Sequence, residues 1–235
     1  MGYSFESRVR YSEIGEDGRL TLPGILDYFQ DCCTFQSESL GQGMKSTLSR
    51  KRTWVLSSWQ VVITRYPELG EHIITTTFPY GFRGFMGMRN FILETKEGER
   101  LAWANTYWSN ISLETGLPEK LTPEDVQGYT LEPKLEMEYA PRKIAVPKDC
   151  EPGEVFSVQQ YQLDTNHHVN NCQYVRMAQQ YLPEKFTIRQ MRAEYRQQAK
   201  LHDTICPMVK YEDEKIVVSL NDDNQAPYAV VEFMK

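Results

Sequence analysis

No run of apolar residues in this chain approaches the ~20 that a membrane-spanning helix needs. The first residues, M-G-Y-S-F-E-S-R, lack the apolar stretch of a secretory signal, and Glu6 stands where an N-myristoylation signal wants a small hydroxyl residue. Cysteine is sparse and unpaired in pattern: there are five, an odd number, with Cys32 and Cys33 adjacent, which excludes a disulfide framework. Neither C-x-x-C nor H-E-x-x-H occurs, so zinc has no ligand set at recognised spacing, and no metal or cofactor is expected. An excess of basic charge is missing too. The 26 Lys and Arg against 32 Asp and Glu leave a net charge of −6, which argues against nucleic acid as a partner. These absences together predict a cytoplasmic chain with no membrane insertion.

What is present is an ordinary globular composition, 40% hydrophobic and 25% charged, over 235 residues, enough for one large domain or two of about 100–120 residues. A short strand is predicted over 5–11 and a turn over 15–18. A helix is predicted over 23–40, with Leu22, Ile25, Leu26, Phe29 and Cys33 falling on one face. A polar loop (41–52) follows, then strands over 54–66, 71–79, 85–95 and 101–113 separated by Gly and Pro turn signals. The second half repeats the plan: a strand over 155–163, a helix over 169–182, and strands over 188–199, 204–211, 215–221 and 228–234. Two echoes suggest a duplication. Asp17-Gly18-Arg19-Leu20 stands at the same junction as Asn166-His167-His168-Val169, and R-Y-P-E-L-G-E-H-I from Arg65 echoes R-Q-Q-A-K-L-H-D-T-I from Arg196. Periodicity lapses from Pro118 to Arg142, relieved by a short helix near 121–126 with Thr122 as N-cap and Pro123 at N1. The expected organisation is residues 1–130, a linker over 131–145, and residues 146–235. The expected fold class is α+β, each half a long helix wrapped by an antiparallel sheet.

The segment L-D-T-N-H-H-V-N-N from Leu163 concentrates polar chemistry where a strand is predicted to meet a helix. A helix start offers backbone N–H groups that can hold an oxygen as negative charge develops on it. The imidazole of His168 beside such donors can position or activate water, with Asn166 and Asp164 to orient it. The same spacing fits a plainer account, because Asp164, Thr165 and Asn166 are all good helix caps. Cys172 fits a small core residue.

The motifs T-W-V-L-S-S-W-Q-V-V-I-T-R-Y-P-E-L-G-E from Thr53, G-M-R-N-F from Gly87 and A-N-T-Y-W from Ala104 belong to one pattern. With L-D-T-N-H-H-V-N-N-C-Q-Y from Leu163 and E-Y-R-Q-Q-A from Glu194, the chain resembles the acyl-ACP thioesterases of bacteria and plant plastids along nearly its whole length. The resemblance implies a tandem (double) hotdog fold. It implies hydrolysis of the thioester between a fatty acyl chain and acyl carrier protein, with Asp164, Asn166 and His168 in the catalytic positions. It also implies an acyl tunnel built mainly in the first hotdog, for which Ile25, Phe29, Phe35, Trp54, Trp59 and Met88 are candidates; each is also a natural core residue. Well-studied plant members carry a glutamate and a cysteine where this chain has Gln198-Ala199. Ala199 excludes a thiol nucleophile there, and Gln198 can hold a water but cannot take its proton. The proton then goes to His168 or Asp164. Glu194 shares strand parity with Gln198, four residues away.

The expected partner is acyl carrier protein carrying a fatty acyl chain, and a homodimer is compatible with the fold. Two basic groupings could meet an acidic carrier, Lys45 with Arg50, Lys51 and Arg52, and Arg176 with Arg189, Arg192 and Arg196. Each is equally a solvated face. The competing readings are an acyl-CoA thioesterase on the same fold, a dehydratase, and a non-catalytic acyl-binding protein. Arg19 in place of a histidine at the first junction counts against the dehydratase.

Overall fold

The structure, a computed structural model, describes residues 2–235. It divides into two units. The first runs to Tyr139 without Ser58–Val62, and the second comprises Ser58–Val62 and Ala140–Lys235.

In chain order the first unit contains β1 (Tyr3–Arg8), α1 (Leu22–Ser39), α2 (Met44–Arg50), β2 (Arg52–Ile63), β3 (His72–Arg83), β4 (Met86–Thr95) and β5 (Arg100–Ser112). The strands lie in the order β1-β3-β4-β5-β2, with the first three pairings antiparallel. The start of α1 is written locally: Thr21 Oγ1 accepts the N–H of Gly24 at 3.2 Å, and Pro23 sits in the first turn where its missing N–H costs nothing. Leu22, Ile25, Leu26, Phe29 and Cys33 form the buried face as the spacing predicts, and Phe29 meets Phe91 of β4 at 5.2 Å.

The second unit contains β6 (Glu151–Pro152), β7 (Phe156–Ser157), α3 (Asn171–Gln179), β8 (Gln190–Tyr195), β9 (Thr204–Tyr211), β10 (Lys215–Asn221) and β11 (Pro227–Met234). Its sheet order is β8-β11-β10-β9-β6, with β7 also on β9 and Ser58–Val62 of β2 antiparallel to β8. Cys172, Tyr174, Val175, Met177 and Ala178 are the buried residues of α3, which packs on β10 and β11. One helix against an antiparallel sheet, twice in the chain, is the tandem hotdog arrangement.

Five elements differ from the sequence reading. The strand expected over 155–163 shrinks to β7 and a 3-10 turn at Gln160–Gln162: Val155 and Tyr161 are 58% and 77% exposed, and the Gln162 side chain bonds back to the N–H of Gln159. The helix expected from 169 starts two residues later, at Asn171. The strand expected to 199 ends at Tyr195, because the N–H groups of Arg196 and Gln197 both turn to the carbonyl of Tyr228 and break the alternation. The loop at 41–52 contains α2, whose cap comes from outside it: Glu38 Oε1 accepts the N–H of Met44 at 2.8 Å. The short helix near 121–126 is a 3-10 turn, Pro123–Val126, with Thr122 and Asp125 capping reciprocally.

Candidate active site

Asp164 organises the D-x-N-x-H loop. Its Oδ1 accepts the N–H groups of Asn166 at 2.8 Å and His168 at 3.2 Å. Its backbone N–H donates to the carbonyl of His168 at 2.7 Å, and its carbonyl receives the N–H of His167 at 3.1 Å. Asp164 therefore caps a five-residue turn, not the helix. The helix cap is Asn170, whose Oδ1 takes the N–H of Cys172 while its carbonyl takes that of Gln173. This corrects both earlier ideas about the helix start: Asp164, Thr165 and Asn166 are not its caps, and two of its first N–H groups are already occupied, since asparagine is among the best capping residues.

The loop is pinned on its far side. Val169 N–H donates to the carbonyl of Ala199 at 2.9 Å, His168 bridges Lys200, and the N–H of Ala199 donates to the Tyr174 hydroxyl at 2.9 Å. Burial pushes the Tyr174 hydroxyl well up from its ordinary range, which keeps it neutral in this role. The sequence reading missed Tyr174 because a tyrosine on a buried helix face looks like plain core. His168 is half-buried, and its Nδ1 is buried with no hydrogen-bond partner. A buried polar atom of this kind calls for a donor or acceptor from outside the protein. Asn166 is exposed and held only through its backbone.

The first unit supplies a control for the fold of this loop. Gly15 N–H donates to the carbonyl of Arg19 at 2.8 Å, Gly18 N–H to the carbonyl of Gly15 at 3.0 Å, and Leu20 N–H to the carbonyl of Pro67 at 2.8 Å. The backbone path is the same, and there Arg19 stands for His168 and Gly15 for Asp164. The conformation thus forms without an imidazole at that position, and there the carboxylate that takes the Arg19 N–H, at 3.1 Å, is that of Asp17. Gly18 has φ +75° and His167 has φ +61° at the equivalent point. A histidine in the left-handed region is strained. His167→Gly is therefore expected to leave the fold unchanged or stabilise it by up to about 1 kcal/mol and to leave activity near wild type, as read by a thermal melt and a rate assay.

Gln198 lies past the end of β8 and is exposed, so the shared strand parity with Glu194 does not hold. Glu194 is 4% exposed and committed: Oε2 accepts from Arg196 Nη2 at 2.8 Å and from the N–H of Ile144 at 2.9 Å.

Of the six acyl-tunnel candidates, Trp54 and Met88 line a cleft in the first unit with roughly 400 Å³ of empty space, open solvent at its mouth included. Ile25 and Phe29 are sealed in the core of that unit, and Phe35 is 44% exposed, edge-on to Phe5. Trp59 is buried and belongs to the second unit. Arg89 also lines the cleft and was not singled out, although G-M-R-N-F placed a charge inside an apolar strand.

Among the described residues, no three His, Cys, Asp or Glu side chains converge on a metal position, and no helix is long and apolar enough to cross a membrane. All five cysteines are free.

The fold and the loop place the chain in the class of tandem hotdog proteins. A model described as the acyl-ACP thioesterase N-terminal domain matches residues 2–129, and the acyl-ACP thioesterase C-terminal domain matches residues 147–229. The chain belongs to the acyl-ACP thioesterase family. The chloroplastic palmitoyl-acyl carrier protein thioesterase of Arabidopsis thaliana is 26% identical over 209 residues, covering 81% of this chain and 50% of that protein. The chain spans about half the length of the curated relatives it matches. The crystal structure of an acyl-ACP thioesterase from Bacteroides thetaiotaomicron superposes with a TM-score of 0.90 at 19% identity, covering 98% of this chain and 96% of that one. The 12:0-ACP thioesterase from Umbellularia californica gives 0.83 at 16% identity, covering 99% and 96%. At those identities the likeness is one of fold.

Proposed function

We propose that this chain hydrolyses the thioester between a fatty acyl chain and acyl carrier protein, releasing the free fatty acid and the carrier's thiol. In this reading residues 1–130 receive the acyl chain, 131–145 link, and 146–235 carry the chemistry. The observation that supports it most is His168, with an unanswered ring nitrogen on a loop whose backbone is held without it. Family membership gives that geometry its substrate class.

The step is a water attack. The water oxygen adds to the thioester carbonyl carbon while His168 takes its proton, and the C–S bond then breaks as that proton passes to the leaving sulfur. Asp164 and Asn166 orient the water or the carbonyl. Gln198, exposed and next to Ala199, whose carbonyl takes the Val169 N–H, can add a hydrogen bond to water and nothing more. Gln198→Ala is accordingly expected to slow hydrolysis by less than about 10-fold, against the 10²–10⁴-fold typical of a lost acid–base group. Five free thiols support a reducing, cytoplasmic setting. The reading admits a homodimer and gives no part to nucleic acid, membrane insertion or a cofactor.

One observation favours the second reading, an acyl-CoA thioesterase. The basic groupings are largely answered within the protein: Arg50 and Arg52 by Asp125, Lys51 by Glu114, Arg192 by Glu232, and Arg196 by Glu194. Such pairing weakens them as docking surfaces for an acidic carrier. Rates on one acyl chain presented by acyl carrier protein and by CoA decide between the two. A kcat/KM for the carrier substrate at least tenfold higher is expected, and equal or reversed values would overturn the choice of carrier.

A further inference from the structure

The cleft in the first unit contains a cation that no carboxylate answers. Arg89 on β4 is 8% exposed, and its protein partners are neutral: Nη1 donates to Gln36 Oε1 at 2.5 Å and Thr77 Oγ1 at 3.0 Å, and the Tyr129 ring centroid lies 5.5 Å from Cζ. Among the described residues no acid lies within ion-pair distance of it, and neither Nε nor Nη2 meets a protein acceptor. Arg192 and Arg50 have side chains 13% and 19% exposed, and each is paired with a carboxylate. A guanidinium only 8% exposed and held by neutral groups has given up most of its hydration without gaining a counter-charge. Its field reaches the cleft wall: burial pushes the Cys33 thiol up to about 11, and Arg89 pulls against that rise.

Around this charge the lining is apolar, from Trp54, Phe82, Met88 and Trp108. A cationic end joined to aromatic and thioether walls suits an amphiphile. The cleft has roughly 400 Å³ of empty space, open solvent at its mouth included, so a chain lying in it stays partly in contact with water. Nε and Nη2 are also the two donors that engage both oxygens of one carboxylate side-on. We infer that this cleft binds a carboxylate carried on a hydrocarbon chain, with the carboxylate on Nε and Nη2 of Arg89 and methylenes against Trp54, Phe82 and Met88. The inference stands on the cleft alone, so its test needs no thioester and is independent of hydrolysis in the second unit. The carboxylate has two sources: a free fatty acid, or the far end of an acyl chain that bears a second acid group.

Decanoate and decan-1-ol are titrated into the full chain while tryptophan fluorescence is followed, since Trp54 and Trp108 border the cleft. Decanoate is expected to bind at least tenfold more tightly than the alcohol. Arg89→Gln should erase that difference and Arg89→Lys should keep part of it, with circular dichroism melts to verify folding. Equal affinity of the wild-type protein for acid and alcohol overturns the inference, as does a folded Arg89→Gln protein that keeps the preference. Should Arg89→Gln fail to fold, the wild-type comparison still decides. Hydrolysis of decanoyl and ω-carboxydecanoyl thioesters separates the sources. A preference for the ω-carboxy substrate that Arg89→Gln removes identifies the far end of the chain; inhibition by free decanoate without such a preference identifies the free acid.

Discussion

His168→Ala is expected to lower the rate of thioester hydrolysis at least 100-fold while moving stability by no more than about 0.5 kcal/mol. The two effects separate because the backbone and side chain of this residue do different work. Its N–H and C=O hold the turn through Asp164, and alanine keeps both. Its ring makes no protein hydrogen bond at Nδ1, so truncation removes a buried unpaired atom and leaves no partner stranded. The first unit forms the matching turn with Arg19 in this place, which shows that the fold tolerates a different side chain. A thiol-release assay on acyl carrier protein substrate and a thermal melt on the same preparation read both quantities. A folded variant that turns over at the wild-type rate removes His168 from the mechanism. The neighbouring His167→Gly variant is the matched control, since it too deletes an imidazole from this loop and should stay active.

The helix–sheet plan was legible in sequence because its signals are local. The 3.6-residue spacing of α1 and the β-rich runs of β2 to β5, set off by Gly and Pro turns, each lie within one stretch of chain. The duplication was legible as an echo, and it extends to matched hydrogen bonds: Val9 N–H to the carbonyl of Glu71 recurs as Val158 N–H to the carbonyl of Asp203, at 3.0 and 2.9 Å. What was hidden depends on partners distant along the chain or on a break in pattern. Cap Glu38 of α2 sits six residues from the N–H it serves. The end of β8 is set by the carbonyl of Tyr228, which captures two successive N–H groups. That break moved Gln198 out of the strand and off the parity of Glu194. The turn at 164–168 brings Asp164, Asn166 and His168 together by adjacency, so those residues could be named from sequence. The cleft could not, because its walls come from α1, β2, β3, β4, β5 and Tyr129, and its charge is held partly by Gln36 of α1, 53 residues away in the chain.

Asp164 is the residue at which structure and chemistry are hardest to separate, and the two carboxylate oxygens provide the means. Oδ1 is committed to the N–H groups of Asn166 and His168, whereas Oδ2 has no protein partner among the described residues. Asparagine can present an acceptor to both N–H groups but carries no charge; alanine presents nothing. Asp164→Asn is therefore expected to fold with near wild-type stability and lose about 10- to 100-fold in hydrolysis, consistent with loss of a group that orients water or offsets the charge forming on His168. Asp164→Ala should lose at least as much activity and also about 1–3 kcal/mol of stability from the two abandoned backbone donors. Denaturant unfolding of both variants beside their rates gives four numbers for two hypotheses. If Asp164→Asn is fully active while Asp164→Ala is inactive and less stable, the carboxylate serves the turn alone and the proton passes through His168 without electrostatic help. If both are slow and only Asp164→Ala is destabilised, Oδ1 shapes the loop and the charge on Oδ2 belongs to the reaction.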